Sequence, residues 1–278
     1  MPLFTMKEIL ADAHAHSYGV GFFDTFTQEM VRACISAAEE LRSPVIIGTA
    51  ESLLQYSDFD WIGPLMLTAA RTSKVPVAVH LDHTYRYETL MRALRSGFGS
   101  VMFDGSRLSY EENVRISGDV ARTAHAMGAG VESELGCVGG LEGEDGSVDE
   151  NVYTDPELAA RFVQETGVDF LAVSIGTVHG VYQAQPSLNL DLLAKIQSKV
   201  GIPLVLHGGS GLSDEDLVAT IERGICKVNV YTDVVTAARD SLASYPGDSY
   251  GNLMRHAERE MAAVVARTIA TLGSAGRV

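Results

Sequence analysis

Cysteine is scarce: Cys34, Cys137 and Cys226 are scattered and odd in number, which gives no disulfide framework. That argues against a disulfide-stapled secreted domain and for a reducing compartment. Long apolar runs are missing too, and no stretch of 18 apolar residues exists that would cross a bilayer. The opening segment, Met1 to Gly19, carries Lys7, Glu8, Asp12 and two histidines where a signal peptide needs an apolar core, so none is expected. Basic residues are few, 21 against 36 acidic ones, for a formal net charge of −15. Such a chain repels nucleic acid and anionic membrane, so a bound phosphate must be held locally by backbone N–H groups or a metal. No low-complexity stretch and no Pro/Gly/Ser-rich linker divides the chain. The expectation is a cytoplasmic protein with one domain over residues 1–278, without nucleic-acid or membrane partners.

What is present suits a large core. Hydrophobic residues make up 46% of the 278 and charged residues 21%, enough apolar surface for one sizeable globular body. Eight short apolar runs read as strands: Val20–Phe26, Val45–Thr49, Val77–His80, Ser100–Phe103, Gly130–Glu134, Phe170–Val173, Leu204–His207 and Cys226–Val230. Between them fall helical patterns such as Thr27–Leu41, Tyr87–Ser96, Tyr110–Met127, Asp155–Thr166, Asn189–Lys199 and Ser213–Arg223. Strands alternating with helices at this length predict a (β/α)8 TIM barrel, with its active site at the C-terminal ends of the strands.

Histidines stand where those strands end: His83 after the third, His179 shortly after the sixth, His207 at the close of the seventh. One imidazole at a strand end is usually a satisfied rim residue, but three on a shared rim suit a zinc ion with an open coordination position, the pattern of a catalytic site. Asp82 precedes His83 and either orients a ligand or serves as a general base. Glu132 and Glu134 alternate on strand five and so share a face; they are either a solvated rim or metal-adjacent, and Asp104 carries the same ambiguity. Gly136–Val152, rich in glycine and acid, is either a disordered surface loop or a lid that carries a carboxylate such as Glu142 over the substrate.

Gly208-Gly209-Ser210-Gly211 follows strand seven, and Ser213 before Asp214-Glu215-Asp216 caps a helix just beyond it. The loop is either an ordinary turn or, with Asn229, Tyr231 and Thr232 after strand eight, a phosphate-binding corner. His14 and His16 have the His-x-His spacing of amidohydrolase barrels, but they fall in a helical pattern upstream of the first strand. His80, His125 and His256 read as structural.

Six motifs occur in order: HLDH at 80–83, SVMFDGS at 100–106, VESELGCVGG at 131–140, IGTVHG at 175–180, LHGGSG at 206–211 and KVNVYT at 227–232. With them the chain, from about Leu3 to Gly276, resembles the class II, zinc-dependent fructose-bisphosphate and tagatose-bisphosphate aldolase family. The resemblance implies zinc on His83, His179 and His207, with Glu134 as an alternative metal position. It implies Asp82 beside the substrate hydroxyls and Glu142 as the acid/base of the lid. Gly180, Gly208, Gly209, Ser210, Asn229 and Thr232 would hold the phosphate and enediolate of dihydroxyacetone phosphate, Asn229 acting in catalysis as well. A monovalent cation, Na⁺ or K⁺, often accompanies that site, and a homodimer or homotetramer is expected.

Three departures from the family pattern cluster at the far end of the substrate. Asp24 occupies the place of the first asparagine of an AFNVNN-like first strand, Ala50 that of a small hydroxyl residue after strand two, and Ser249-Tyr-Gly251 that of an Asp-Pro-Arg whose arginine grips the far phosphate. The expected activity is therefore reversible cleavage of a ketose 1-phosphate to dihydroxyacetone phosphate and an aldehyde, with the second phosphate in doubt. An ordinary fructose- or tagatose-bisphosphate aldolase is the alternative. A non-catalytic phosphosugar-binding subunit, or a metallohydrolase using His14 and His16, are readings from other classes.

Overall fold

The computed structural model describes residues 3–140, 152–182 and 186–278. Eight parallel strands close on themselves in sequence order: β1 Val20–Asp24, β2 Val45–Ala50, β3 Val77–Thr84, β4 Ser100–Phe103, β5 Gly130–Leu135, β6 Phe170–Val173, β7 Leu204–Leu206 and β8 Ile225–Asn229. The expected barrel is thus the observed one. The largest boundary difference is at β3, which runs on through His83 to Thr84 instead of stopping at His80. A second is at β7, which ends one residue before His207.

Around the barrel lie α2 Gln28–Leu41, α3 Phe59–Thr72, α4 Tyr87–Ser96, α5 Tyr110–Ala126, α6 Pro156–Thr166, α7 Leu190–Lys199, α8 Asp214–Ile221, α9 Thr232–Ser244 and α10 Tyr250–Thr271. Their starts follow local chemistry, since Thr27, Ser109, Asp155 and Ser213 each accept a hydrogen bond from a first-turn amide. Outward strand residues such as Val77, Val79, Leu81 and Val131 pack on the inner faces of these helices in one continuous core.

The barrel interior changes character along its axis. At the N-terminal end, α1 Met6–His16 lays Met6, Ile9, Leu10 and Ala13 against Val20, Phe22, Ile46, Ala78, Phe170 and Val205 and closes the bottom. Above Phe22 the inward side chains are polar: His80, Asp82, Glu132, Glu134, Lys227 and Asn229, all buried. This filling suits a barrel with its chemistry at one end and its stability at the other. No helix among the described residues is long and apolar enough to cross a membrane. The three cysteines are free and buried.

Candidate active site

Strict alternation along β3 would send His83 outward after Leu81. The β3–β4 register shifts between Leu81 and Thr84, and His83 adopts φ 32°, a conformation uncommon for a residue with a Cβ. An irregularity of this kind re-aims a side chain, and here it brings the imidazole to the rim. Strain held at such a point is a mark of functional positions. Nδ1 of His83 lies 3.0 Å from Asp104 Oδ2, while its Nε2 is buried without a hydrogen-bond partner. A carboxylate on one ring nitrogen and a vacant acceptor on the other is the preparation a metal ligand needs.

The other two imidazoles meet it there. Ring centroids of His83 and His207 are 4.4 Å apart, and those of His83 and His179 are 4.8 Å apart. One nitrogen from each of the three histidines lies within 4.8 Å of the other two. Tetrahedral zinc takes nitrogen ligands at about 2.0–2.1 Å, so the three rings would draw closer together to share one ion. His83, Asp104 and Glu134 form a second such group beside the first.

The charges are arranged for a cation. Burial opposes protonation of His207, but hydrogen bonds to Glu132 and Glu134 and the nearby Asp82 outweigh it and push its pKa up to about 10. His83 is likewise disfavoured by burial yet is raised to about 9 by Asp82 and Asp104. His179 is pushed well below the usual histidine value by burial and by the two neighbouring rings. A metal binding here would displace protons from His83 and His207, as ligands must be neutral to coordinate.

Asp82 points inward from β3, wholly buried. Its Oδ2 accepts from Asn229 Nδ2 at 2.8 Å, and its Oδ1 is 3.3 Å from His80 Nε2 and 3.6 Å from Lys227 Nζ. Burial raises its pKa, but Lys227 and His83 overcome that and hold it well below the ordinary carboxylate range. The side chain is therefore held in its ionised form. His80, which the sequence suggested was structural, touches this carboxylate. Glu132 and Glu134 are no solvated rim: both are buried, and each holds one nitrogen of His207, at 2.9 and 3.1 Å.

The glycine loop after β7 forms a second corner. Gly208 has φ 66°, and a Cβ there would run into the Val178 backbone. At Gly209 a Cβ would meet the Val228 side chain and the Asn229 carbonyl, and its N–H donates to that carbonyl at 2.9 Å. Ser210 Oγ accepts from the amides of Tyr231 and Asp233, both at 3.2 Å, at the start of α9. Loops after strands seven and eight and a helix N-terminus thus converge, the setting in which barrels bind phosphate. Thr232 opens α9. The Asn229 side chain donates to Asp82. Gly180 has φ 88° and open space where a Cβ would stand.

Sequence reasoning missed Tyr182. Its hydroxyl donates to the Gly208 carbonyl at 2.8 Å and accepts from the Val178 amide at 3.2 Å, pinning the loop that carries His179 to the loop that follows His207. A tyrosine in a loop gives no sequence signal of such a tie. Ser106, which donates to Asp104 Oδ1 at 2.7 Å, was quoted only within a motif.

Residues 141–151, including Glu142, lie outside the described residues. Flanking them, Cys137 and Val152 exchange two backbone hydrogen bonds, at 2.8 and 3.0 Å. His14 and His16 sit on α1 at the closed bottom of the barrel, with His16 paired to Asp12. That position is opposite the rim and removes the structural basis of the metallohydrolase reading. His125 pairs with Asp169 at 2.8 Å, and His256 lies 3.8 Å from Glu260.

Barrel, histidine group and glycine corner together describe a metal-using enzyme of the (β/α)8 class. Over residues 4–277 the chain matches the family model for class II fructose-bisphosphate aldolase, and it belongs to that family, a metal-dependent family of lyases. It is 42% identical to a fructose-bisphosphate aldolase of Geobacillus stearothermophilus over 88% of each chain. A crystal structure of the YdjI aldolase from Escherichia coli K12 superposes with a TM-score of 0.89 at 33% identity, covering 99% of both chains. A putative fructose-1,6-bisphosphate aldolase from Coccidioides immitis gives a TM-score of 0.91, also at 33% identity, over 98% of this chain and 97% of that one.

Proposed function

We propose that this class II aldolase uses zinc to split a ketose 1-phosphate reversibly into dihydroxyacetone phosphate and an aldehyde that carries no second phosphate. The carrying observation is Asp24, a buried carboxylate at the inward C-terminal end of β1. Ala50 closes the adjacent β2 without a hydroxyl. At the third departure, Ser249 caps α10, Tyr250 is 75% exposed and Gly251 faces open space. A phosphate dianion arriving at this end would meet a carboxylate where a neutral amide is usual, and no arginine at position 251.

His83, His179 and His207 would hold the zinc, with Glu134 close enough for an alternative position. When bound, zinc supplies a Lewis acid that polarises the ketose carbonyl and stabilises the negative charge left by carbon–carbon cleavage. Asp82 takes the C4 hydroxyl proton as the C3–C4 bond breaks and a carbonyl forms at C4. Glu142 gives a proton to C3 of the departing three-carbon fragment, and Asn229 holds Asp82 in place. Gly180, Gly208, Gly209, Ser210 and Thr232 take the C1 phosphate, with Na⁺ or K⁺ against the same loops. The working form is a cytoplasmic homodimer or homotetramer.

The test is a panel of ketose phosphates. A lost charge-assisted pair forfeits about 1.5–3 kcal/mol, so kcat/KM for fructose 1,6-bisphosphate should fall about tenfold to a hundredfold below that of the best ketose monophosphate. Asp24→Asn should narrow the gap. A parent protein that cleaves the bisphosphate better than every monophosphate would restore the ordinary bisphosphate aldolase.

A further inference from the structure

Below the histidine group, in the barrel interior, sits an ion pair that the proposed reaction does not use. Lys227 on β8 and Glu132 on β5 are both wholly buried, with Lys227 Nζ 2.8 and 3.1 Å from the two carboxylate oxygens of Glu132. Glu132 Oε1 also faces His207 Nε2 at 2.9 Å. Lys227 Nζ reaches Asp82 Oδ1 at 3.6 Å. His80 bridges the remaining side: its Nε2 is 3.3 Å from Asp82 and 3.6 Å from Glu132, and its Nδ1 bonds Ser100 Oγ at 2.8 Å.

This arrangement has a floor. The Phe22 ring lies 4.4 Å beneath Lys227 Nζ and packs edge-on against His80 at 5.4 Å. Gly48 leaves room for that ring, since a Cβ there would collide with it and with the His80 carbonyl. His80, Asp82 and Glu132 have the donor set and spacing of a cation site, and a lysine from the neighbouring wall supplies the cation. Buried ion pairs are weak contributors to stability, and replacing both partners by apolar residues is often neutral or stabilising. Stability alone is therefore a poor reason for this pair to occupy the barrel core.

We infer that Glu132 and Lys227 are a positioning pair: Glu132 fixes the ring plane of His207 through its Nε2, and Lys227 fixes Asp82 through its Oδ1. The inference rests on the zinc aldolase reading. Two ends of one ion pair would then set the metal's third imidazole and the proton acceptor in register, so that neither turns independently. Carboxylates that orient metal-bound imidazoles are worth about 10–100-fold in metal affinity or activity.

The experiment replaces the pair as a unit, with Lys227→Met and Glu132→Leu in one protein, because either apolar change alone strands a buried charge. Three quantities are measured: thermal midpoint, zinc dissociation constant by competition with a chromogenic chelator, and kcat and KM at saturating zinc. The expected result is an unchanged or higher midpoint, zinc affinity lower by about 10–100-fold and kcat lower by a similar factor, with KM for the ketose phosphate unchanged. Parent-like zinc affinity and kcat in a folded double variant would overturn the inference. Should the double variant not fold, Glu132→Gln keeps the size and an acceptor for His207 but removes the charge. It should then show weakened zinc binding, and parent affinity in it would equally overturn the inference. A parent protein that neither binds zinc nor cleaves any ketose phosphate would fail on the aldolase reading itself, whatever the variants do.

Discussion

Glu142→Ala is expected to bind zinc as the parent does and to turn over about 10²–10⁴-fold more slowly, the usual worth of one well-placed acid/base group. The reason lies in the division of labour between proton transfer and metal binding. Its proposed role is proton exchange with C3 of the three-carbon fragment, while the imidazoles that would hold the ion come from β3 and from the loops after β6 and β7. Before position 141 the chain is tied to the site, since Glu134 Oε1 accepts from the Val138 amide at 2.9 Å. Because the lost interaction belongs to the transition state, kcat should fall with little change in KM. Stopped-time assays at saturating substrate, paired with metal analysis of the same sample, check this. Full turnover with the best substrate would remove the lid role.

His207→Ala should behave in the opposite way, losing the ion and with it the reaction. His207 is fully buried between Glu132 and Glu134, so its removal deletes one of the three proposed nitrogen ligands and takes one buried partner from each carboxylate, Glu132 keeping Lys227. Breaking a buried charge pair costs about 3–5 kcal/mol, and part of the effect will appear as a lower thermal midpoint. Metal analysis separates the two contributions. The expected outcome is substoichiometric zinc in folded protein and turnover below that of Glu142→Ala. A His207→Ala protein that keeps stoichiometric zinc would take His207 out of the ligand set.

The barrel was legible in the sequence because its strands are short apolar runs bounded by polar rim residues, a pattern set by burial on both faces. The ends of β3 and β7 were less so. His83 reaches the site through a register shift and a positive φ, which depend on how β3 pairs with β4; no local pattern announces them. The even spacing of Glu132 and Glu134 predicted a shared face, and the structure has both on it. That the face is dry, with one histidine held between the two carboxylates, depends on β7 standing two strands away. Lys227 falls inside the apolar run of strand eight, and its meaning comes from Glu132, 95 residues earlier in the chain. The tie made by Tyr182 is equally non-local.

On the proposed reading this chain breaks a carbon–carbon bond with a metal held by His83, His179 and His207 and not through a lysine Schiff base. Lys227 is the lysine inside the barrel, and it is wholly buried against Glu132. The most direct measurement is release of dihydroxyacetone phosphate from a ketose 1-phosphate by the full chain, before chelation, after it, and after zinc is returned, with a parallel sample treated with substrate and borohydride. Chelation should abolish turnover, zinc should restore it, and borohydride should leave no covalent adduct in the mass spectrum. Turnover that survives in metal-free protein, or a substrate fragment trapped on Lys227, would contradict it.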